Sequence, residues 1–585
     1  MEKRVLLAIF LVFVFLFAYQ SFVVRRMPAP AGQPAASGQP AGGGGRGPAT
    51  GVPAGSGAAA GTQAAVGQPA VQQQASAPAE QPAPTVAAAG ERKIVVETQV
   101  LRVVFSNRGG HAERWELPRY QGDGGHAVNL VPGNGVSGAF RMFDVRVDDE
   151  EVTGRLKAAL FASDAADVVD GHRRDVSVTF DYSDAGGLVA HKTFRFSPDS
   201  YVVHVSAEVR LGDRALNPTV QMGPGLGDMG VGAAGNSYMQ PAAGIVHQDG
   251  KVRRIAVKDL GAQPVREGTY RYAGIDDHYF LAVVLPPRTA RLEYSLVPVS
   301  APNGKPFSYV EWGVRLAGRA DDVRLYLGPK DFDVLAAVDR DMVRAINYGI
   351  FDWLAVPLLR ALKGINNRVG NYGWSIIVLT VLINVVMFPL RHKSVVSMRR
   401  MQELQPQIKA IQERYGKLKT TDPARQKMNQ ELMELYKSRG VNPASGCVPM
   451  LLTIPIFIAF YSLLSQAIEL RGAPFVFWIK DLSIHDPYYV TPILMGGAWL
   501  WQQAMTPSSA DPMQQKMFLA MPVVFTVMFL WAPSGLAIYW FVNNLLGIVQ
   551  QYATNAIVGP LKAGGAAANE KRKRTPAKQD GAGAK

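Results

Sequence analysis

A single cysteine, Cys447, stands in 585 residues. That excludes an intramolecular disulfide and a cysteine-rich metal site. The nine histidines are scattered, and no His-x-x-x-His or Cys-x-x-Cys pair occurs, which argues against a structural metal. No cofactor is expected. A second scarcity lies between Gly373 and Val558. Several apolar segments there are long enough to cross a bilayer, and none has an Asp, Glu, Lys, Arg or His in its interior. A proton pump needs ionisable groups along its path, so that class is disfavoured. What these segments carry instead is uncharged polar groups at helical spacing: Thr380 with Asn384, Tyr539 with Asn543, and Trp540 with Asn544.

Mean hydropathy of +0.03 is too low for a chain that is all membrane, and it averages a soluble part with a membrane part. The net charge of +14 is uneven. Residues 391–446 hold twelve Lys/Arg against five Asp/Glu, and residues 556–585 hold seven against two. Beside membrane spans, such basic segments mark the cytoplasmic side.

The organisation reads as follows. Residues 1–26 place an apolar run, Val5 to Val24, between Met-Glu-Lys-Arg and Arg25-Arg26. At 1.5 Å per residue it spans roughly 30 Å, one hydrocarbon core, and reads as an uncleaved signal anchor with a cytoplasmic N-terminus. Residues 27–90 are rich in Pro, Gly, Ala and Gln and read as a disordered tether. Residues 91–340 hold short β-branched and aromatic runs separated by turn residues, the pattern of a large all-β sandwich. Within them Gly225 to Gly230 matches a dinucleotide fingerprint, but no amphipathic helix follows, so it reads as a loop. Asp276 and Asp277 are assigned no role, because adjacent carboxylates on a strand point opposite ways and are usually solvated. Residues 341–372 suit an amphipathic helix in the membrane interface, kinked at Pro357.

The membrane core, 373–558, divides into spans at Gly373–Leu390, Cys447–Ile468, Tyr488–Ala504, Lys516–Trp531 and Gly535–Ile557. With the anchor these make six spans. Residues 391–446 form a helical hairpin on the cytoplasmic side, its second helix capped by Asp422-Pro423. Residues 559–585 are a basic cytoplasmic tail.

Six stretches together carry a resemblance: Val369-Gly-Asn-Tyr-Gly-Trp-Ser-Ile-Ile, Met387-Phe-Pro-Leu, Val441-Asn-Pro-Ala-Ser-Gly-Cys-Val-Pro, Ile454-Pro-Ile-Phe, Asp511-Pro-Met-Gln-Gln-Lys and Trp531-Ala-Pro-Ser-Gly-Leu-Ala-Ile-Tyr. The chain resembles the YidC-type membrane protein insertases of Gram-negative bacteria. The resemblance implies a five-helix insertase core in the inner membrane, a periplasmic tether and β-supersandwich, and a groove open to cytoplasm and lipid but closed to the periplasm. It implies nascent membrane proteins as clients, the lipid bilayer and a Sec-type translocon as partners, and ribosome contact through Lys571, Arg572, Lys573 and Arg574. The groove residues it points to are Thr380, Asn384, Phe457, Met495 and Trp540, and the helical spacing adds Asn543. Members of the family commonly have an arginine where this chain has Asn384, and often a tyrosine where it has Trp540. The expected groove therefore works by polarity and hydration without a fixed charge. No nucleophile–base pair stands in the membrane block, so no enzyme is expected. The alternatives are a small-solute transporter or channel, and a membrane-bound sugar-modifying enzyme.

Overall fold

The computed structural model describes residues 85–122, 125–131, 139–227, 239–286, 289–300, 306–316, 322–415, 424–440, 448–505 and 512–558. The signal anchor, nearly all of the tether, the Asp422-Pro423 cap and the basic tail lie outside the described residues.

Among its described residues the β domain holds three sheets. A nine-stranded antiparallel sheet runs in the order Lys251–Ile255, Ala243–Gln248, Tyr272–Asp276, Phe280–Leu285, Val323–Pro329, Val202–Leu211, Leu188–Phe196, Val176–Ser183, with Arg214–Leu216 added beside Val202–Leu211. One five-stranded sheet is ordered Ala127–Asn129, His111–Gln121, Arg102–Ser106, Lys93–Glu97, Val168–Asp170, the last pair parallel. The other is ordered Val265–Thr269, Thr289–Ser300, Pro306–Arg315, Thr219–Met222, Val145–Arg146. Strict alternation sets the faces. Leu188–Phe196 buries Leu188, Ala190, Lys192, Phe194 and Phe196 and exposes the residues between them or leaves them half-buried. The inward residues meet in an aromatic core, where Phe105 lies 4.7 Å from Phe194 and Trp115 lies 5.6 Å from Phe143. Three short helices decorate the sheets: α1 (Glu150–Ala158), α2 (Val257–Ala262) and α3 (Phe332–Val338). The domain begins earlier than the composition shift implies. Val86 bridges Ser183, and the Ala88 amide donates to Leu160, so residues 85–90 belong to the β domain and not to the tether.

Asp276 and Asp277 depart from the solvated expectation, for both are buried. The Asp276 carboxylate accepts from Arg254 Nε and Nη2 at 3.0 Å and from Lys330 Nζ at 3.2 Å. Lys330 is itself buried and also donates to the Asp277 carbonyl. Asp277 Oδ1 accepts the amides of Tyr279 and Phe280 at 2.8 and 2.7 Å, closing the turn between two strands. The partners come from positions 22 and 54 residues away, which local spacing does not reveal.

Among the described residues eight α-helices follow: α4 (Asp352–Val369), α5 (Tyr372–Glu403), α6 (Gln405–Tyr415), α7 (Ala424–Ser438), α8 (Val448–Gln466), α9 (Val490–Met505), α10 (Pro512–Phe529) and α11 (Ser534–Val558). The amphipathic helix expected over 341–372 starts later than the apolar pattern suggests. Residues 341–351 form two 3-10 turns instead, separated where Ile346 is extended and Gly349 takes φ +78°. Pro357 sits inside α4. On that helix Trp353 is 66% exposed while Ala355, Leu359 and Leu362 are buried. Gly370, at φ +72°, ends α4, and the Asn371 side chain caps α5.

The boundary expected at Leu390 is absent. α5 continues for 32 residues to Glu403, through Pro389 and the basic Arg391-His392-Lys393. Charge changes the solvent around a helix without breaking its backbone; the break comes at Leu404. α5 is long and apolar enough to cross a membrane. Beyond it α6 and α7 pack as the expected hairpin, with Leu404 and Ile408 against Leu432, Leu435 and Tyr436.

Replacing Lys330 with Met leaves Asp276 with one cationic partner and the Asp277 carbonyl with none from that side chain. A loss of about 2 kcal/mol is expected, the worth of a buried charged hydrogen bond. It is read as a lowered thermal midpoint of the detergent-solubilised full chain.

Candidate functional site

Side-chain pairs fix the directions of the bundle helices. Between α5 and α11, Asn384 meets Asn543, the Phe388 carbonyl meets Gln550, and His392 meets Thr554. Both numbers rise together, so the two helices run parallel. Between α9 and α11, Asn544 Nδ2 donates to the Met495 carbonyl at 3.4 Å, and Gln502 fills the space over Gly547, again in parallel. Between α8 and α11, Phe457 packs on Trp540 and Phe460 on Tyr539, so those helices are antiparallel. Between α9 and α10, Gly496 meets Thr526 and Trp499 meets Phe525, so those helices are antiparallel, and the chain alternates direction along α5, α8, α9, α10 and α11.

The α5–α11 seam is polar along its length. Asn384 Nδ2 donates to the Thr380 carbonyl at 2.8 Å and to Asn543 Oδ1 at 3.1 Å. Gln550 Nε2 donates to the Phe388 carbonyl at 3.4 Å, His392 Nδ1 lies 3.2 Å from Thr554 Oγ1, and Arg399 Nη2 donates to Asn555 Oδ1. Such contacts are worth roughly 1 kcal/mol each in a membrane bundle. Beside the polar seam is an aromatic wall. Trp540 stands 4.5 Å from Phe457, 5.2 Å from Trp499 and 5.3 Å from Phe529, between ring centroids.

The six residues singled out from sequence fall into three settings. Asn384 and Asn543 touch, and Phe457 and Trp540 touch. Thr380 is fully buried, and its hydroxyl donates to the Ile376 carbonyl one turn back in its own helix. Met495 is also fully buried, against α11 through its backbone. Asn543, Phe457 and Trp540 are half-buried and reach the surface.

Sequence reasoning missed Arg391. Its Nη1 donates to Asn384 Oδ1 at 2.6 Å. The expectation of a seam without a fixed charge is therefore corrected. A residue seven positions on returns to the same face after two turns, and helix side chains lean toward the N-terminus, so a long cation just past the apolar run reaches back into it. The i, i+7 spacing to Asn384 was the available signal. It was hidden because Arg391 was counted with the hairpin's basic residues.

At the other end of the bundle the β domain is clamped to the helices. The Gln240 amide donates to His278 Nδ1 at 3.3 Å, so Nε2 carries the proton and donates to the Ser465 carbonyl near the end of α8 at 2.6 Å. Burial drives the His278 imidazole down to about 3. Lys363 of α4 lies 3.1 Å from Glu469 and 3.5 Å from Asp331, with Asp333 also in contact. Burial opposes its charge, but the three carboxylates more than offset that, and its ammonium titrates above the usual lysine range. Arg471 stacks over Tyr279 and Phe280 at 5.5 and 5.3 Å. Phe475 packs on Gly373 so closely that a Cβ there would collide with the ring.

A multi-strand β domain seated on the end of an apolar bundle with a polar seam defines a helical membrane protein with a large extramembrane domain. The YidC periplasmic domain model matches residues 93–361, and the 60Kd inner membrane protein model matches residues 364–560. The membrane protein insertase YidC of Geobacter sulfurreducens is 39% identical over 480 residues, covering 80% of this chain and 87% of that one. That of Oleidesulfovibrio alaskensis is 37% identical over 506 residues, covering 81% and 90%. A crystal structure of an active YidC insertase is 19% identical, covers 80% of this chain and 94% of its own, and aligns with a TM-score of 0.33. The chain belongs to the YidC family of membrane protein insertases. It is an inner membrane protein with a periplasmic β domain, and its role is insertion, not covalent catalysis.

The His278 contact sets a pH dependence. An imidazole whose folded pKa is lowered stabilises the fold fully above its unfolded value of about 6.5, and that stability is lost as pH falls below it. His278→Asn removes this linkage. The stability gap between wild type and variant should narrow by about 2 kcal/mol from pH 7 to pH 5, read as converging thermal midpoints of the full chain. A constant gap would show that His278 is not held neutral against α8.

Proposed function

We propose that client segments are handled at the mouth of the α5–α11 seam, where Asn384, Asn543, Trp540 and Phe457 offer polar and aromatic contacts side by side. The supporting observation is the cross-helix amide pair Asn384–Asn543, with one member half-buried and within reach of an incoming chain. A client's polar flank carries unpaired groups that cost several kcal/mol each in hydrocarbon. Amides on the seam, with water drawn to them, accept those groups in turn. The aromatic wall guides the apolar segment, whose transfer into lipid supplies the driving force. Thr380 and Met495 act from behind, holding the wall in register.

In this reading the protein has six spans with both termini cytoplasmic. The alternating helix directions support this, because they put the α6–α7 hairpin and the end of α11 on one side and the β domain on the other. The groove is open to cytoplasm and lipid, and it works alone or beside a Sec-type translocon. The tail residues Lys571, Arg572, Lys573 and Arg574 engage ribosomal RNA through phosphate contacts.

Depletion of the protein, followed by protease accessibility of one- and two-span clients, tests the role of the groove. Complementation with Asn384→Leu or Asn543→Leu should lower insertion of clients with polar translocated segments several-fold. Full activity of both variants would return these amides to helix packing alone.

A further inference from the structure

The connection between α8 and α9 turns aromatic side chains outward. The Phe475 amide donates to the Ile479 carbonyl at 3.0 Å, and the Ile479 amide donates to the Val476 carbonyl at 3.1 Å. These bonds close a tight turn with Phe477 at its tip. Phe477 takes φ +52°, in the left-handed region. Glycine, asparagine and aspartate accept that backbone readily. A phenylalanine there carries steric strain, and its ring gains no burial in return, for it is 81% exposed. Only Trp478 stacks beside it, at 5.8 Å between centroids, and Tyr488, 69% exposed, stands edge-on to Trp478 at 6.1 Å. The cluster does not hang from a loose segment. Trp478 Nε1 donates to Asp486 Oδ1 at 2.9 Å, and Asp486 also accepts the Tyr488 and Thr491 amides.

The level of the loop is fixed by α5. Asn371, the cap of that helix, donates through Nδ2 to the Pro474 and Phe475 carbonyls at 3.1 and 3.2 Å. The loop is therefore tied to the point where the apolar run of α5 begins. Phe477 lies two residues from Phe475, at most about 7 Å away. The headgroup region on each face of a bilayer is itself roughly 5–7 Å deep. Trp374 at the start of α5, and Ile493 and Leu494 at the start of α9, are exposed as well, so the apolar surface of the loop continues onto both helices. Lys480, exposed three residues past the tip, has the charge that headgroup phosphates attract. Arg471 stacks over Tyr279 and Phe280 of the β domain, which places the loop at the periplasmic end.

We infer that the 474–489 loop is a lipid anchor: Phe477, with Tyr488 across Trp478, inserts into the headgroup–acyl boundary of the periplasmic leaflet. Both costs at position 477, the backbone strain and the exposed ring, make sense together only if the ring leaves water for an apolar medium. The Asp486 bonds keep the cluster aimed at that medium. Phe475, packed on Gly373, ties the hold to the first turn of α5.

Site-directed spin labelling tests this in the full chain, reconstituted in vesicles of phosphatidylethanolamine and phosphatidylglycerol. Replacing the single cysteine, Cys447→Ser, gives a background for one label at a time. Phe477→Cys is compared with Asp213→Cys, in an exposed turn of the β domain, and with Val386→Cys, 75% exposed within the apolar run of α5. The ratio of oxygen to nickel-chelate accessibility at 477 should exceed that at 213 by about threefold or more and approach that at 386. A ratio equal to that at 213 would place the ring in water and overturn the anchor. A label shielded from both reagents would show that protein covers the loop, a second copy of the chain included, and would overturn it as well. Where Phe477→Cys fails to fold, Tyr488→Cys decides by the same comparison and the same outcomes.

Discussion

In hydrocarbon every polar group of a helix must find a partner inside the protein, since water is not there to serve it. In this chain that constraint is met chiefly between two helices, α5 and α11, which run parallel and exchange amide, hydroxyl, imidazole and guanidinium contacts from Asn384 to Asn555. Parallel neighbours cannot be joined by a tight turn, so three intervening helices must alternate in direction to bring α11 beside α5. The hairpin α6–α7 and the end of α11 consequently share one end of the bundle. The Ala467–Tyr489 connection and the β domain share the other. The polar seam thereby sets the connectivity around it.

The outer end must be closed by groups strong enough to seat a large β domain on a small helical surface. His278 spends both ring nitrogens on the joint, one accepting from Gln240 and one donating to α8. It can do so only while neutral, and burial keeps it neutral. Just beneath it, Lys330 and Arg254 neutralise Asp276 and fix the strand end that presents His278. Lys363 gathers acidic residues from the cap of α3 and from the loop after α8, so α4 is tied to both. α4 is thus held by charge at Lys363 and by the buried Ala355, Leu359 and Leu362.

Much of this was legible in the residues. β-branched runs marked strands, and uninterrupted apolar runs marked α8, α9, α10 and α11 with ends accurate to a few residues, and α5 at its start alone. Local pattern carried those elements because each is built from near neighbours in sequence. What failed depended on distance. Asp276 looked like a surface carboxylate because Lys330 lies 54 residues away. Arg391 looked like the first residue of a cytoplasmic hairpin because composition changes there, while the α-helix itself continues to Glu403. Of the six residues singled out from sequence, the contacts Asn384–Asn543 and Phe457–Trp540 follow from helical spacing plus the pairing of two helices. The complete burial of Thr380 and Met495 depends on the packing of neighbours that spacing alone does not specify.

The pairing of Asn384 with Arg391 is best understood as one unit. An amide at position 384 that bonded only to α11 and its own helix would keep an acceptor lone pair idle in a low-dielectric seam. A guanidinium at 391 with no acceptor above it would leave the seam for water at the membrane surface. Together they satisfy each other with a single charged hydrogen bond, roughly twice as strong as a neutral one. The positive charge is held at the margin of the apolar region, where its desolvation is partial and its remaining donors stay accessible. A cation placed two turns higher would lie deeper among apolar side chains and carry a larger desolvation penalty. The Asn–Arg arrangement keeps the field of the charge along the seam while its cost stays near that of a residue at the end of the apolar run.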